Sequence, residues 1–273
     1  MIEGAAHDHD HHHHHDHQHH HDHGHEHDHQ HGHAHEHDHL HDHAVPYVHT
    51  HASPRMIALE RDVLARNDLL AARNRGWLEG REILALNVMS SPGAGKTTLL
   101  ERTIARMSGA AIAVIEGDQA TLRDAERIRA AGASALQINT GSGCHLDADM
   151  VAQALRQLAP APRSLLFIEN VGNLVCPALF DLGERARVVV ASVTEGEDKP
   201  LKYPTMFRAS DVVVLNKVDL LPHVSFDTDR FAEYARRVKP DLQLFEVSAT
   251  RGDGLEAWTG WLADQMTRCH QGA

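Results

Sequence analysis

Short apolar runs alternate with helix-length amphipathic stretches along most of the chain. Seven runs rich in Val, Ile and Leu are predicted strands, at 83–89, 111–115, 135–138, 165–168, 188–193, 212–215 and 242–247. Helices are predicted at 96–107, 121–131, 147–158, 202–208, 227–239 and 254–268. Continuous apolar strands separated by helices are typical of a mostly parallel sheet covered on both faces. The pattern therefore predicts one α/β domain over residues 55–273.

Two segments precede the first predicted strand. Residues 55–80 place apolar side chains at helical spacing among charges, which predicts one or two amphipathic helices leading into the core. In residues 1–54, by contrast, His alternates with Asp, Glu, Gln, Gly and Ala. Such a tail buries too little surface to offset the entropy of ordering it, so we expect disorder without metal.

Histidine and negative charge are concentrated in this tail. Residues 1–51 hold 24 of the 27 histidines, ten of the 38 acidic residues and no Lys or Arg. Residues 52–273 then carry a net charge of −2, against −12 for the whole chain. Such a near-neutral domain lacks the basic excess of nucleic-acid-binding proteins. With no signal-peptide pattern and no apolar run near the ~20 residues of a membrane helix, we expect a cytoplasmic protein that binds no membrane.

The composition of the tail predicts metal binding. Imidazole suits Ni, Zn, Cu and Co, and the interleaved carboxylates add oxygen donors. We expect several divalent ions to bind weakly and interchangeably, and to be released as the pH falls through about 6.5. The candidate ligands include His11, His13, His15, His19 and His21. A purification tag is the alternative, but the run is long, interleaved with acids and free of a recognisable linker or protease site.

The first predicted strand runs directly into a glycine-rich loop. Residues 90–98 read SSPGAGKTT and lead into a helical stretch, the strand–loop–helix context of the phosphate loop G-x-x-x-x-G-K-[ST]. Ser90 stands where the strict pattern has Gly, and a small Ser can take the turn with modest strain. The loop therefore predicts a P-loop nucleotide hydrolase.

The phosphate loop supplies most of the predicted nucleotide contacts. Lys96 would reach the β- and γ-phosphates, and the Thr97 hydroxyl would bind Mg²⁺. Glycines let backbone N–H groups approach phosphates at a helix N-terminus. The other nucleotide-binding candidates of the loop are Gly93, Ala94, Gly95 and Thr98.

A second motif indicates guanine. Residues 216–219 read NKVD after a predicted buried strand, which is the N-K-x-D signature of GTPases. The Asp219 carboxylate would accept the ring N–H and the exocyclic amine of guanine together, whereas adenine would leave it unpaired, at a high cost. Residues 248–250, SAT, resemble the loop that contacts the guanine oxygen through a backbone N–H. The predicted base site comprises Asn216, Lys217, Asp219, Ser248 and Ala249.

Two carboxylates follow predicted strands at the edge where open α/β folds bind ligands, namely Asp118 and Glu169. We assign Asp118, with Thr97, to Mg²⁺. Glu169, in an E-N-V-G stretch where many GTPases have D-x-x-G, is a ligand, acts through water or orients the nucleophile. Lys96, Asp118 and Glu169 are thus the catalytic candidates. Without an evident arginine finger or catalytic Gln, we expect slow hydrolysis, roughly 10⁻⁴ s⁻¹.

The three cysteines, too few and odd in number for a disulfide framework, suggest a metal site. Cys144 and His145 are adjacent in one predicted loop, and Cys176 follows Glu169 by seven residues. Thiolate and imidazole donors suit Zn or Ni, although one chain provides too few for a closed tetrahedral site. Burial as small hydrophobic residues is the alternative for both cysteines. Cys269, near the C-terminus, is interpreted as incidental.

Together these motifs resemble the HypB family, GTPases that assist nickel insertion into [NiFe]-hydrogenase. The resemblance covers residues 90–98, 116–118, Thr121, 124–127, 143–145, 169–177, 194–200 and 216–220. It implies a GTP-dependent homodimer with metal held between protomers by Cys144, His145 and Cys176. It also implies nickel transfer with a HypA-type chaperone to the hydrogenase large subunit, and a Lys199 that reaches nucleotide across the dimer.

The chain lacks the N-terminal C-x-x-C-G-C nickel motif of some family members, and we expect the histidine tail to substitute for it as a nickel store. Two other functions stay open. One is a related nickel GTPase that serves urease. The other is a nickel storage protein whose GTPase domain is vestigial, against which the intact phosphate-loop and guanine motifs argue.

Overall fold

The computed structural model describes residues 54–118, 123–141 and 143–271. The tail histidines proposed as ligands, His11, His13, His15, His19 and His21, lie outside the described residues, as does Thr121. The backbone of Asp118 is described, but its side chain is not.

Seven parallel strands form a single sheet. They are β1 (Leu84–Ser90), β2 (Ile112–Asp118), β3 (Ser134–Asn139), β4 (Leu165–Gly172), β5 (Ala186–Ser192), β6 (Val212–Asn216) and β7 (Gln243–Val247). Their order across the sheet is β3-β2-β4-β1-β5-β6-β7, and every neighbouring pair is parallel. All seven coincide with predicted strands, because fully buried parallel strands read as continuous apolar runs. The predicted α/β fold is confirmed.

Helices cover both faces of the sheet. They are α1 (Pro54–Glu79), α2 (Lys96–Arg106), α3 (Arg123–Ala130), α4 (Ala148–Leu158), α5 (Lys199–Lys202), α6 (Pro204–Ala209), α7 (Thr228–Val238) and α8 (Leu255–His270). The buried side chains of α2, α3 and α8 pack on one face. Those of α1, α4, α6 and α7 pack on the other. This alternation places the carboxyl ends of the strands, and the loops that follow them, along one open edge.

The segment predicted as one or two helices at 55–80 is the single helix α1. Among its described side chains, the first that is buried is Asn67. Asn67 donates to the Asp181 carbonyl at 2.8 Å, and Asn74 donates to the carbonyls of Ala148 and Leu182 at 2.8 and 3.0 Å. The second half of α1 is therefore fixed to the domain by buried amides as well as by apolar contacts. No helix in the described ranges has the length and apolarity to cross a bilayer.

Three predicted elements differ from the structure. Strand β2 extends to Asp118, three residues beyond its predicted end, so Asp118 ends the strand and does not follow it. The helix predicted at 202–208 is divided into α5 and α6, because Pro204 has no N–H with which to continue the first helix and instead begins the second. Strand β4 extends to Gly172, four residues beyond its predicted end. Glu169 still pairs in register with Glu116 of β2, and Gly172 with Ser90 of β1, so polar residues continue the strand.

Candidate functional site

The loop from β1 to α2 makes its turn at two glycines. Gly93 and Gly95 have φ of 76° and 96°, the left-handed region in which a side chain is strained. A Cβ atom on Gly95 would lie 2.6 Å from Nδ2 of Asn216, so glycine also permits a close approach there. The strain expected at Ser90 is absent, because Ser90 is the buried last residue of β1. Its Oγ accepts a hydrogen bond from Lys96 Nζ at 2.8 Å.

A cavity of about 430 Å³ opens above this loop. It is lined by Pro92, Gly93, Gly95, Lys96, Thr97, Thr98, Glu116, Gly117, Asp124, Arg127, Glu169, Asn170, Val171 and Gly172. The phosphate-loop candidates and Glu169 thus come together, at the carboxyl ends of β2 and β4. Asp118 ends β2 at the same edge. The position and size of the cavity suit the phosphates of a nucleotide.

Glu169 is held against the phosphate loop. Thr97 Oγ1 donates to its Oε1 at 2.8 Å, and its Oε2 is buried without a hydrogen-bond partner among the described residues. Burial raises the pKa of Glu169, against the charge of Lys96 and the hydrogen bond from Thr97. A buried carboxylate oxygen with no partner, beside a threonine hydroxyl, fits a divalent cation.

Asn216 joins the predicted base site to the phosphate loop. Its Nδ2 donates to the Ala94 carbonyl at 3.0 Å, and its Oδ1 accepts from the backbone N–H of Ala249 at 3.1 Å. The side chain is almost fully buried. Asn216 therefore fixes two loops that are far apart in the sequence rather than presenting a free amide.

Lys217 and Asp219 complete this end of the edge. Lys217 has φ of 63°, and its Nζ donates to the Gly93 carbonyl at 2.6 Å. Ser248 Oγ donates to Asp219 Oδ1 at 2.6 Å, which orients the carboxylate while its second oxygen stays available. All five predicted base-site residues are thus brought to one place. Ser248 also has a function that the sequence did not suggest, since it positions Asp219.

Two charged residues near the loop were not predicted as site residues. Glu195 accepts from Ser91 Oγ at 2.5 Å and pairs with Lys199 Nζ at 3.7 Å. Lys199 also lies over the ring of Tyr203, 5.2 Å from its centroid, so its ammonium contacts groups of its own chain. Glu195 lies in the 194–200 stretch, and no motif or spacing in the sequence indicates that it contacts the phosphate loop.

Arg127 is the second. Its guanidinium lines the cavity, donates to Glu101 at 2.7 Å and to Asp124 at 3.1 Å, and reaches Thr98 Oγ1 at 3.2 Å. The hydrogen bond with Glu101 is the main reason that the pKa of Arg127 is raised. Arg127 thus gives the cavity a second cation in addition to Lys96. Arg127 belongs to the D-A-E-R stretch at 124–127. It was not predicted as a site residue, because a charged residue there is equally expected on the exposed face of an amphipathic helix.

The three predicted metal donors form a cluster. The ligand atoms of Cys144, His145 and Cys176 all lie within 4.8 Å of one another, and each residue is partly buried. It is the one such group of three found in the described part of the chain. Cys144 Sγ is 3.6 Å from His145 Nδ1, and the imidazole stacks on Phe180 with ring centroids 3.9 Å apart.

The electrostatics of the cluster favour the neutral forms of His145 and Cys176. Burial lowers the pKa of His145, although the Asp147 carboxylate opposes this. The hydrogen bond with Cys144, followed by burial, raises the pKa of the Cys176 thiol. Cys269 is elsewhere, on α8, partly buried against the core. The alternative of small buried hydrophobic residues therefore describes Cys269 better than it describes Cys144 and Cys176.

Comparison with known proteins identifies the family. Residues 84–246 match the CobW/HypB/UreG nucleotide-binding domain. A relative from Rhizobium leguminosarum bv. viciae, named hydrogenase maturation factor HypB, is 59% identical over 215 residues, which cover 78% of this chain and 72% of the relative. The chain belongs to the HypB family. The resemblance found in the sequence motifs is thus confirmed.

Other HypB proteins extend the match. One from Helicobacter pylori strain J99, named hydrogenase/urease maturation factor HypB, is 39% identical over 223 residues, covering 80% of this chain and 92% of the relative. The crystal structure of HypB from Helicobacter pylori in complex with nickel superimposes with a TM-score of 0.70 at 39% identity. It covers 74% of this chain and 96% of that chain. The fold of this HypB-family domain is therefore shared along its length.

Proposed function

We propose that the chain is a GTP-hydrolysing metallochaperone that binds nickel and assists its insertion into [NiFe]-hydrogenase, with the histidine tail as a nickel store. One observation carries the proposal: β4 and the short segment after it connect the two candidate sites. Glu169 of β4 accepts a hydrogen bond from Thr97 of the phosphate loop, and Cys176 of the thiol cluster lies four residues after the strand ends at Gly172. A change at the nucleotide can thus reach the metal donors over a short distance.

The nucleotide half of the proposal assigns each group a task. Lys96 binds the β- and γ-phosphates, and the backbone N–H groups of the loop surround them. Thr97 and Glu169, together with Asp118, hold Mg²⁺; the buried, unpartnered oxygen of Glu169 supports this assignment. Bound Mg²⁺ neutralises phosphate charge. Arg127 lies at the same cavity and adds positive charge toward the transferred phosphoryl group.

The base end of the site favours guanine. Asp219 is oriented by Ser248 and accepts the two adjacent N–H donors of guanine, which adenine does not present. Asn216 and Lys217 hold the phosphate loop beside it, and the Ala249 N–H donates to Asn216 Oδ1, which fixes the 248–250 loop at the base end of the site. GTP is therefore the nucleotide that we assign to this edge.

The metal half uses Cys144, His145 and Cys176 as nickel donors. Soft thiolates and an imidazole suit Ni²⁺ and also Zn²⁺. Three donors leave the coordination incomplete, so a second copy of the chain supplies the others in a GTP-dependent homodimer. The nickel complex of the Helicobacter pylori protein supports nickel as the cargo. A HypA-type chaperone and the hydrogenase large subunit are the proposed partners.

The test uses the full chain and two readouts. GTP turnover is measured for the wild type and for Lys96→Ala, for which we expect a loss on the order of 10²–10³-fold in kcat. Thiolate-to-nickel charge-transfer absorption is measured in parallel for the wild type and for Cys144→Ser/Cys176→Ser. The first 143 residues contain no cysteine, so this band reports the domain and not the tail.

The outcomes separate the proposal from its alternatives. Nickel bound in quantity without GTP turnover would indicate a storage protein. Deletion of the gene that impairs urease and leaves hydrogenase active would indicate the urease function. Loss of hydrogenase activity, restored by nickel-loaded wild-type protein and not by either variant, supports the metallochaperone.

A further inference from the structure

A chain of buried polar side chains crosses the sheet beneath the two candidate sites. It consists of Asn170 on β4, Asn87 on β1, Glu184 in the loop before β5, and Arg187 on β5, and we refer to it as the buried polar chain. Asn170 Nδ2 donates to Asn87 Oδ1 at 3.2 Å, and Asn87 Nδ2 donates to Glu184 Oε1 at 3.3 Å. Arg187 Nε donates to the same Glu184 oxygen at 2.6 Å. The first three side chains are almost completely removed from solvent.

The donors and acceptors of the buried polar chain can be arranged in only one direction. Glu184 accepts hydrogen bonds on both oxygens, since Leu182 N–H donates to Oε2 at 2.7 Å. Asn87 must therefore turn its Nδ2 toward Glu184 and its Oδ1 toward Asn170. Asn170 must in turn donate to Asn87, and the Oδ1 of Asn170 therefore points away from Asn87. A flip of either amide would place two acceptors in contact inside the protein, at a high cost.

Both ends of the buried polar chain hold the segments that carry the metal donors. At one end, Asn170 Oδ1 accepts from the N–H of Leu146, the residue after His145, at 3.1 Å. At the other, the Arg187 guanidinium donates to the carbonyls of Ala178 and Phe180 at 3.3 and 3.4 Å, just after Cys176. The ring of Phe180 stacks on His145, so the two ends meet at the thiol cluster.

Asn170 connects this arrangement to the nucleotide. It follows Glu169 in β4 and lines the phosphate cavity, and its Oδ1 also accepts from the N–H of Val171 at 3.0 Å. A shift of the strand end at Glu169 therefore moves Asn170. The Leu146 segment must then follow, or its buried N–H loses its partner.

We propose that Asn170 is a positioning residue that couples the nucleotide state to the geometry of the Cys144–His145–Cys176 site through the buried polar chain. This inference rests on the proposed function. It differs from coupling through the peptide segment 169–176 alone, which would act on Cys176 and leave Cys144 and His145 without a direct link to the strand.

The experiment measures how strongly the nucleotide changes nickel affinity. Full-length protein with Cys269→Ser is titrated with Ni²⁺ in GDP and in a non-hydrolysable GTP analogue, and the thiolate-to-nickel band gives the two affinities. Their ratio in the parent protein is expected to lie within about 5- to 150-fold, as for other coupled sites. Asn170→Ala is expected to bring the ratio to within about twofold of unity.

Thr103→Val is the matched control. It removes two buried hydrogen bonds on the opposite face of the sheet from the thiol cluster: Thr103 Oγ1 accepts from Trp258 Nε1 at 3.0 Å and donates to the Leu99 carbonyl at 2.7 Å. We expect it to lower the melting temperature and keep the ratio. Asn87→Leu is the second test variant, since it interrupts the buried polar chain without touching either site; the ratio should fall toward unity, and this variant decides the matter if Asn170→Ala does not fold.

The outcomes distinguish the inference from the function on which it rests. A parental ratio that persists in Asn170→Ala, or in Asn87→Leu where that variant decides, overturns the inference and leaves the proposed function intact. A parental ratio of one overturns both the inference and the nucleotide coupling within the proposed function. Absence of GTP turnover or of the thiolate band in the parent overturns the proposed function itself.

Discussion

The nucleotide edge and the thiol cluster are built in different ways. At the edge, buried or half-buried side chains hold together loops that are far apart in the sequence. Asn216 donates a hydrogen bond to the Ala94 carbonyl, 122 residues away, and Lys217 donates one to the Gly93 carbonyl, 124 residues away. In the cluster, Cys144 and His145 are sequence neighbours 3.6 Å apart at Sγ and Nδ1, the imidazole stacks on Phe180, and Cys144 hydrogen-bonds Cys176. The edge is therefore held together by hydrogen bonds between distant loops, whereas the contacts of the cluster are made among its three donors and one neighbouring ring.

This difference makes base recognition the step most sensitive to a single atom. Replacing Asp219 by Asn exchanges one acceptor for a donor at a position that Ser248 has already fixed. We expect the preference for GTP over xanthosine triphosphate, which has a carbonyl in place of the exocyclic amine, to change by a factor on the order of 10⁴. Competition binding against a labelled guanine nucleotide measures it.

Ser248→Ala is the comparison for this variant. It removes the orienting hydrogen bond and keeps the carboxylate, so GTP affinity should fall by about 10- to 150-fold at most, the effect of one hydrogen bond to a charged group. An unchanged nucleotide preference in Asp219→Asn would mean that other residues recognise the base, and it would contradict the assignment of Asp219.

The thiol cluster should instead be sensitive to pH. The pKa of the Cys176 thiol is raised, mainly by its hydrogen bond with Cys144, so nickel must displace protons in order to bind thiolates. Affinity measured by the thiolate band should fall as the pH decreases from 8.5 to 7, by about tenfold per pH unit for each proton released. The lowered pKa of His145 keeps its imidazole neutral through this range.

The histidine tail provides the internal reference for this titration. Its nickel, measured as total bound metal by equilibrium dialysis, should be retained until the pH falls to about 6.5, where imidazoles protonate. The two pools would thus empty in different pH ranges. A nickel affinity that stays constant between pH 7 and 8.5 would contradict this prediction, because it would mean that no thiol proton is released on binding.

Glu169 lies between the two regions, and its carboxylate should reduce stability in the absence of ligand. Its pKa is raised by burial, so the folded state favours the protonated form. The contribution to stability is present below the unfolded pKa of about 4.3 and is lost as the pH rises through the higher folded value. Glu169→Gln should therefore raise the melting temperature at pH 7 by ~2–4 °C for each kcal/mol recovered, and the gain should vanish near pH 4.

The same substitution should decrease GTP turnover, because Gln is a poorer ligand for a divalent cation than a carboxylate. Glu101→Gln, which breaks an exposed pair with Arg127, is the control and should leave the melting temperature nearly unchanged. A Glu169→Gln protein that melts at or below the wild-type temperature at pH 7 would mean that the hydrogen bond from Thr97 already compensates the carboxylate.

The sequence allowed the strands and the motif residues to be predicted, because a buried parallel strand is recognisable from its own residues. Polar residues within a strand were the exception: Glu169 and Asn170 resemble a loop, and only pairing with β1 and β2 shows that the strand continues. Residues that act through contacts were missed for the same reason. Glu195 and Arg127 reach the loop from 104 and 29 positions away, distances over which no local pattern operates.

Substitution of Ser90 by Gly has the smallest expected effect, and it tests which positions of the phosphate loop require glycine. Ser90→Gly restores the strict phosphate-loop pattern, yet it should not improve nucleotide binding, since Ser90 is in strand β1 and its Oγ accepts from Lys96. Glycine in a strand costs about 0.5–1 kcal/mol, so the melting temperature should fall by ~1–4 °C. Gly95→Ala is the matched variant: with φ of 96° and Asn216 Nδ2 2.6 Å from the added Cβ, it should greatly weaken nucleotide binding. Tighter binding of GDP by Ser90→Gly would show instead that Ser90 restrains the loop, and that the nucleotide edge is held less favourably than its hydrogen bonds suggest.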